Sequence, residues 1–175
     1  MSAPDLTLHL PGPEDTRAAA AAIATHLRAG DAVALVGELG AGKTCFVQGA
    51  AQALGVEQPV TSPSYVLVKL LPATVPVVHV DVYRLGGVVD LDSLGEDVLA
   101  PDVITVVEWA DTITPLLPDD RLEVVLRHAE DSGAPPDADR GGAARPRRLE
   151  LRALGPGWQP RWAALCDDLA AWAAG

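Results

Sequence analysis

Four residues of the chain have the types and spacing of a phosphate-binding loop. Gly37, Gly42, Lys43 and Thr44 form the pattern G-x-x-x-x-G-K-T, which follows an apolar strand-like run and precedes a stretch with helical character. The glycines let the backbone curl into a nest of N–H groups, and a helix starting there adds its unpaired first-turn N–H groups. We therefore predict a P-loop in which Lys43 binds the phosphates of a nucleotide and the Thr44 hydroxyl binds Mg²⁺. The expected nucleotide contacts from this segment are Glu38, Leu39, Gly40, Ala41, Gly42, Lys43, Thr44 and Cys45.

Two acidic residues stand at the ends of later apolar strands. Glu108 follows the run 103–107, and Asp81 lies near the end of the run 75–82. A buried strand that delivers a carboxylate towards the P-loop Mg²⁺ is the Walker B arrangement, which Glu108 fits and for which Asp81 competes. We predict that Lys43, Asp81 and Glu108 are catalytic and that Trp109 lies at the rim of the same site. The sequence leaves open which of the two acids contacts the metal.

Three further features each allow two interpretations. The segment with Thr61, Ser62 and Ser64 is either an ordinary turn or a switch-like loop that brings hydroxyls to the γ-phosphate and Mg²⁺. Arg84 is either a surface residue or a group that acts on phosphate charge in place of an arginine finger. His79 lies two residues before Asp81 and therefore on the same strand face, so a two-ligand metal site there is a weaker alternative.

The length predicts one domain over residues 1–175, in which strand-like and helical stretches follow one another. The segments 121–127 and 148–154 both alternate and should pair as an antiparallel hairpin. Residues 129–147 between them are rich in Pro, Gly, Ala, Asp and Arg, which predicts a disordered hairpin tip. Residues 158–174 carry apolar side chains at helical spacing, which predicts a C-terminal helix.

The composition narrows the classes of function. The formal net charge is −11, and an acidic chain repels a phosphate backbone, which argues against direct nucleic-acid binding as the main role. The five arginines between 140 and 152 are expected to lie on the solvated hairpin tip. Two cysteines are too few for a disulfide framework, and no stretch has the features of a signal peptide or a bilayer span. We expect a cytoplasmic protein without membrane contact.

The motifs also occur in a characteristic order. The P-loop is followed by Thr-Ser-Pro-Ser-Tyr at 61–65, by His-Val-Asp-Val-Tyr-Arg-Leu at 79–85 and by Glu-Trp at 108–109. This ordered set resembles the bacterial TsaE (YjeE) family of small ATPases, over about residues 5–127. The resemblance implies an α/β fold of the P-loop NTPase-like three-layer type, with a mixed parallel and antiparallel central sheet. It also implies ATP or ADP with Mg²⁺, with Thr44 and Glu108 near the metal, and it matches Asp81 and Trp109 to positions that are functionally important in the family.

The same resemblance implies partners. TsaE-like proteins bind the TsaB–TsaD heterodimer, in which TsaD transfers a threonylcarbamoyl group to the adenosine beside the tRNA anticodon. ATP hydrolysis by the TsaE-like protein is expected to drive turnover of that assembly, while the partners hold the tRNA. Two departures from the family pattern are Ser64, where the family has Thr, and Ala110, where Pro or Gly is usual.

Other functions remain as alternatives. A P-loop small-molecule kinase would use the same loop and metal, and a nucleotide-regulated binding module would bind ATP with negligible hydrolysis. A GTPase is disfavoured because the chain lacks the Asn/Thr-Lys-x-Asp element that reads guanine.

Overall fold

The computed structural model describes residues 5–63, 67–83, 94–129 and 145–173. The predictions for Ser64, Tyr65 and Arg84, and most of the proposed hairpin tip, therefore lie outside the described residues. Within them, seven strands form one sheet: β1 (Asp5–Leu10), β2 (Ala32–Val36), β3 (Val68–Leu71), β4 (Val77–Asp81), β5 (Ile104–Glu108), β6 (Arg121–His128) and β7 (Arg147–Leu154).

The sheet mixes parallel and antiparallel strands in the order β1-β7-β6-β2-β5-β4-β3. The central strand β2 runs parallel to β5 and β6, and β4 runs parallel to β5. Both strands β4 and β5 are buried along their whole length, as expected for parallel strands covered on two faces. The β6–β7 and β1–β7 pairs are antiparallel, so the predicted hairpin and the predicted mixed α/β sheet are confirmed.

Three α-helices cover one face of the sheet: α1 (Pro13–Ala24), α2 (Lys43–Ala53) and α3 (Gln159–Asp168). Leu35, Phe46 and Leu126 belong to the main apolar cluster between these helices and the sheet. Helices α1 and α2 pack closely because Gly49 has no side chain, and a Cβ there would lie 2.3 Å from the Arg17 carbonyl oxygen. No helix in the described ranges has both the length and the apolar character of a bilayer-crossing span.

The opposite face is covered by shorter elements. A 3-10 helix, Ala110–Leu116, and the segment 94–100 pack over Ala34, Val80 and Val107 in a second apolar cluster. Only Trp109 separates this 3-10 helix from the end of β5, so the backbone at Trp109 determines the direction in which the chain leaves Glu108. The two outer layers therefore differ: three α-helices cover one face of the sheet, and a 3-10 helix with the segment 94–100 covers the other.

The C-terminal segment differs from the continuous helix predicted for 158–174. Helix α3 ends at Asp168, and a separate 3-10 turn spans Ala170–Trp172. The chain then becomes extended at Ala173, which forms an antiparallel bridge with Leu8 of β1. Pairing with this edge strand requires extended backbone, so the helix does not extend through Ala173.

Candidate functional site

The P-loop joins the carboxyl end of β2 to the start of α2. Its backbone approaches β6 closely at Gly37, where a Cβ would lie 2.4 Å from the Leu126 carbonyl oxygen. Gly42 precedes the first helical residue with φ 107°, a left-handed conformation that favours glycine. Helix α2 begins at Lys43, so its first-turn N–H groups point out of the helix end with no intrahelical acceptor. This is the geometry that binds anions at helix N-termini.

The ammonium group of Lys43 lies inside the loop. Its Nζ donates hydrogen bonds to the carbonyl oxygens of Gly37, at 2.7 Å, and Glu38, at 2.9 Å. The residue is 4% exposed, and burial lowers the pKa of the ammonium, while the carboxylates of Glu108 and Asp81 oppose that shift. The ammonium is therefore held by two carbonyls of the loop, close enough to the carboxylates of Glu108 and Asp81 to interact with their charge.

Glu108 is the carboxylate that meets Thr44. The Thr44 hydroxyl donates to Glu108 Oε1 at 3.0 Å, with Oε2 at 3.3 Å. His79 Nε2 lies 2.8 Å from the same Oε1, and the His79 and Glu108 side chains are 0% and 3% exposed. With Nε2 facing the carboxylate as its donor, the other ring nitrogen, Nδ1, is buried and has no hydrogen-bond partner among the described residues.

Asp81 occupies the neighbouring position on the sheet. It lies opposite Glu108 in the β4–β5 register, so both acids stand at the carboxyl ends of adjacent parallel strands. Its Oδ2 accepts from the Ser62 hydroxyl at 2.8 Å, and its Oδ1 accepts from the Tyr83 N–H at 3.0 Å. The carboxylate is thus fixed by the loop before β3 and by the chain just after β4.

Trp109 closes the site from the side of β5. The residue has φ 62°, a left-handed conformation that is uncommon for tryptophan and that turns the chain from β5 into the 3-10 helix. The Lys43 Nζ lies 3.7 Å from the centre of the indole ring, and the Tyr83 ring stacks against the same indole with centroids 4.6 Å apart. Trp109 is therefore a cation–π partner of the P-loop lysine.

One cavity of about 390 Å³ gathers most of the predicted site residues. Its lining includes the P-loop residues from Leu39 to Cys45 apart from Ala41, together with Ser62, Asp81, Tyr83, Glu108 and Trp109. Ala41 is buried, and Glu38 faces a larger cavity of about 610 Å³ on the other side of the loop. That larger cavity is lined by neither Lys43 nor the two site carboxylates, so it is not where the loop would hold phosphates.

The structure distinguishes between the hydroxyls that the sequence left equivalent. Thr61 is exposed and its hydroxyl accepts from Lys69 Nζ at 2.7 Å, away from the cavity. Ser62 lines the cavity and contacts Asp81 instead. Among the described residues, no group of three or more His, Cys, Asp or Glu side chains could hold a metal, and the His79 nitrogen facing the site is bound to Glu108. A metal site built from His79 and Asp81 is therefore not supported.

Two contacts were not foreseen from the sequence. His79 orients Glu108 through their hydrogen bond. The position of His79 in the apolar run before Asp81 is the one feature of the sequence that could have indicated this contact. The prediction that Arg147 lies on a solvated hairpin tip is wrong, because β7 begins at this residue and the Arg147 guanidinium contacts the P-loop. Its Nε donates to the Ala41 carbonyl at 3.0 Å and its Nη2 to the Gly40 carbonyl at 3.3 Å. No local pattern indicates this contact.

The residues present fit Mg²⁺. A hydroxyl and a carboxylate, Thr44 and Glu108, meet beside the P-loop, and hard oxygen donors of this kind are the ligands that Mg²⁺ prefers. Mg²⁺ commonly uses one or two protein oxygens together with substrate phosphates, so a larger ligand cluster is not required.

The comparisons with known proteins agree on one family. The model of the family described as threonylcarbamoyl adenosine biosynthesis protein TsaE matches residues 10–135. The chain is 44% identical to the Streptomyces coelicolor tRNA threonylcarbamoyladenosine biosynthesis protein TsaE over 61% of this chain and 75% of that protein. It is 40% identical to the Mycobacterium tuberculosis protein of the same name over 72% of this chain and 81% of that protein. It also resembles the crystal structure of Bacillus subtilis YdiB, with a TM-score of 0.72, 30% identity and coverage of 98% and 97% of the two chains.

Proposed function

This chain belongs to the TsaE family of tRNA threonylcarbamoyladenosine biosynthesis, and on that premise we propose that it is a Mg²⁺-dependent ATPase. The observation that carries the proposal is the contact between Thr44 Oγ1 and Glu108 Oε1, 3.0 Å apart at the start of the P-loop helix. A hydroxyl and a buried acid meet there beside a lysine, which is the set of groups that P-loop NTPases use.

The loop would bind the triphosphate by its backbone. The N–H groups at Gly42 and at the start of α2 would donate to phosphate oxygens, and Lys43 would exchange its two carbonyl acceptors for the β- and γ-phosphates. This exchange gives a charged donor a charged acceptor, which makes a stronger hydrogen bond than a carbonyl does. Cys45, the third residue of α2, lines the same cavity.

Thr44 and Glu108 would hold Mg²⁺, and bound Mg²⁺ supplies neutralisation of charge on the β- and γ-phosphates. Asp81 is held by Ser62 and Tyr83 and would orient the attacking water. The water oxygen bonds to the γ-phosphorus as the bond from that phosphorus to the β–γ bridging oxygen breaks. The bridging oxygen leaves on ADP, one proton of the water stays on the inorganic phosphate, and the other is released to solvent. Positioning and charge stabilisation are sufficient for this reaction, without a covalent intermediate.

We further propose that the chain acts with TsaD-like and TsaB-like partners in the cytoplasm and reaches tRNA only through them. The acidic net charge of −11 supports the indirect contact with tRNA. The exposed edge of the site, with Tyr83 53% and Leu39 76% exposed, would be completed when a partner covers it. Hydrolysis by the isolated chain is then expected to be slow.

The proposal is tested by measuring ATP and ADP binding calorimetrically and phosphate release with and without a purified TsaB–TsaD-like heterodimer. We expect Mg²⁺-dependent binding by the wild type and phosphate release that increases with the heterodimer. Asp81→Asn should retain binding and lose release, because the side chain keeps its shape and loses its charge. Absence of ATP and ADP binding at millimolar concentration by folded protein would refute the proposal.

The same assays separate the alternatives. A small-molecule kinase would transfer phosphate to a metabolite instead of water, so release of inorganic phosphate would stay low while an acceptor became labelled. A nucleotide-regulated binding module would bind the heterodimer differently with ATP and ADP but release no phosphate in either case.

A further inference from the structure

Arg147 holds the outer side of the P-loop from a strand distant in sequence. The residue lies 106 positions after Ala41 and outside the residues 10–135 that the family model matches. It is the first residue of β7 and pairs with Leu10 of β1 on one side and with His128 of β6 on the other. Its guanidinium is therefore anchored between two strands of the sheet.

The loop carbonyls are divided between two cations. Lys43 Nζ takes the carbonyls of Gly37 and Glu38 on the inner side. Arg147 takes the carbonyls of Gly40 and Ala41 on the other side, and its third nitrogen, Nη1, donates to the Arg145 carbonyl. The planar fork of arginine allows it to serve several acceptors in fixed directions, which a lysine ammonium on a flexible stem does not.

These contacts determine the direction of two peptide planes. In a trans peptide the carbonyl and the following N–H point in opposite directions. Since the Ala41 carbonyl points to Arg147, the Gly42 N–H points to the opposite side of the loop. Since the Gly40 carbonyl points the same way, the Ala41 N–H also turns away from Arg147, and it donates to the Glu38 carbonyl at 3.1 Å.

We propose that Arg147 is a positioning residue of the nucleotide site, which presets the P-loop peptides so that the Gly42 N–H is available to phosphate oxygens. The inference rests on the proposed ATP binding. A loop already held in its binding conformation loses less conformational freedom when the ligand arrives, so the effect is on affinity. Arg147 does not touch the reacting atoms in this arrangement, so the rate of hydrolysis of bound ATP depends on Arg147 less than the affinity for ATP does.

The test compares Arg147→Ala with Arg148→Ala. Both variants remove one guanidinium from neighbouring residues of β7, but the Arg148 side chain is about half exposed and pairs with Glu150 at 3.1 Å instead of with the carbonyls of Gly40 and Ala41. Affinity for a fluorescent ATP analogue with Mg²⁺ and the single-turnover hydrolysis rate of bound ATP are measured for each. For Arg147→Ala we expect about tenfold weaker affinity, mostly through faster dissociation, and a single-turnover rate within about threefold of the wild type.

Arg147→Lys serves as the second variant and keeps the charge without the fork. We expect it to bind more weakly than the wild type and to melt at the same temperature, which separates positioning from charge and from folding. Equal losses in Arg147→Ala and Arg148→Ala would assign the effect to net charge and overturn the inference. Wild-type affinity in Arg147→Ala, or in Arg147→Lys if the alanine variant does not fold, would also overturn it.

Hydrogen exchange of the P-loop amides, measured without nucleotide, separates this inference from the proposed function. We expect the peptide covering 38–46 to exchange faster in Arg147→Ala and at the wild-type rate in Arg148→Ala. If the wild type binds no nucleotide, the proposed function fails, and the exchange of this peptide alone decides whether Arg147 positions the loop. Unchanged exchange would then overturn that role.

Discussion

His79 Nε2 and Glu108 Oε1 lie 2.8 Å apart in a part of the sheet from which water is almost excluded. Glu108 also accepts from the Thr44 hydroxyl, so one carboxylate oxygen receives two donors from different elements. A carboxylate held in this way keeps one orientation, which is the usual role of an outer hydrogen-bond partner of a metal ligand. Glu108 of β5 therefore links His79 of β4 to Thr44 of the P-loop helix α2.

We predict that His79→Leu lowers the affinity for the Mg²⁺ that supports nucleotide binding. Loss of an outer partner typically costs ten- to a hundredfold in metal affinity, so the Mg²⁺ concentration at half-maximal effect should rise by about tenfold or more. Titration of Mg²⁺ against a fluorescent ATP analogue measures this. His79→Gln can still donate to Glu108 from its amide and should retain more of the wild-type response. Equal Mg²⁺ requirements in the wild type and His79→Leu would contradict the role.

Lys43→Ala should abolish measurable ATP binding, because the loop loses the cation that faces the phosphates. Lys43→Arg should also bind poorly, since a planar guanidinium does not fit within the loop that encloses the ammonium. Calorimetry with ATP and Mg²⁺ measures both variants. Arg28→Ala, which removes a positive charge from an exposed residue between α1 and β2, is the matched control and should bind as the wild type does. Full binding by Lys43→Ala would exclude phosphate contact by this lysine.

Trp109 should report nucleotide binding by fluorescence. The Lys43 Nζ lies 3.7 Å from the centre of the Trp109 ring, and this ammonium would turn towards the phosphates when ATP binds. We expect the emission of the wild type to change on addition of ATP and the change to disappear in Trp109→Phe. Trp162→Phe removes a partly buried tryptophan of α3 and should leave the change intact. A response that persists in Trp109→Phe would show that the signal comes from another of the four tryptophans.

Bound nucleotide should protect Cys45 from alkylation but not Cys166. Burial raises the pKa of the Cys45 thiol and also that of Cys166, so alkylation of both by iodoacetamide should be slow at neutral pH. The rates should increase with pH, because the reactive thiolate forms only as the pH approaches these raised pKa values. Cys45 lines the P-loop cavity and Cys166 lies on α3, so ATP with Mg²⁺ should slow the alkylation of Cys45 alone. Mass spectrometry of each peptide reads the two sites separately, and equal protection would indicate a global effect.

Gly49→Ala should destabilise the fold independently of any ligand. The added methyl group would lie 2.3 Å from the Arg17 carbonyl oxygen, so α1 and α2 must move apart at a cost of about 1–3 kcal/mol. Thermal and urea denaturation measure the loss. Gly12→Ala is the control, because its Cβ would meet no atom closer than 3.7 Å and its φ is −150°. A stability of Gly49→Ala equal to the wild type would show that the helices can separate freely.

The sequence by itself determined the parts of the site that are local. The strand, the glycine pattern and the helix of the P-loop are contiguous, so their types and spacing are enough to predict the turn from β2 into α2. The acid at the end of β5 was also predicted from a continuous apolar run, and the antiparallel β6–β7 hairpin from strand alternation, because both are local patterns. These predictions agree with the mixed sheet.

Only the tertiary structure decided which distant groups meet. His79 and Glu108 are 29 positions apart, Ser62 and Asp81 are 19 apart, and Arg147 and Ala41 are 106 apart. Such contacts depend on the order and register of the strands, which place Asp81 opposite Glu108 and bring the start of β7 to the loop. Single hydroxyls, imidazoles and guanidinium groups carry no periodic signal, so their partners become visible only when the sheet has formed.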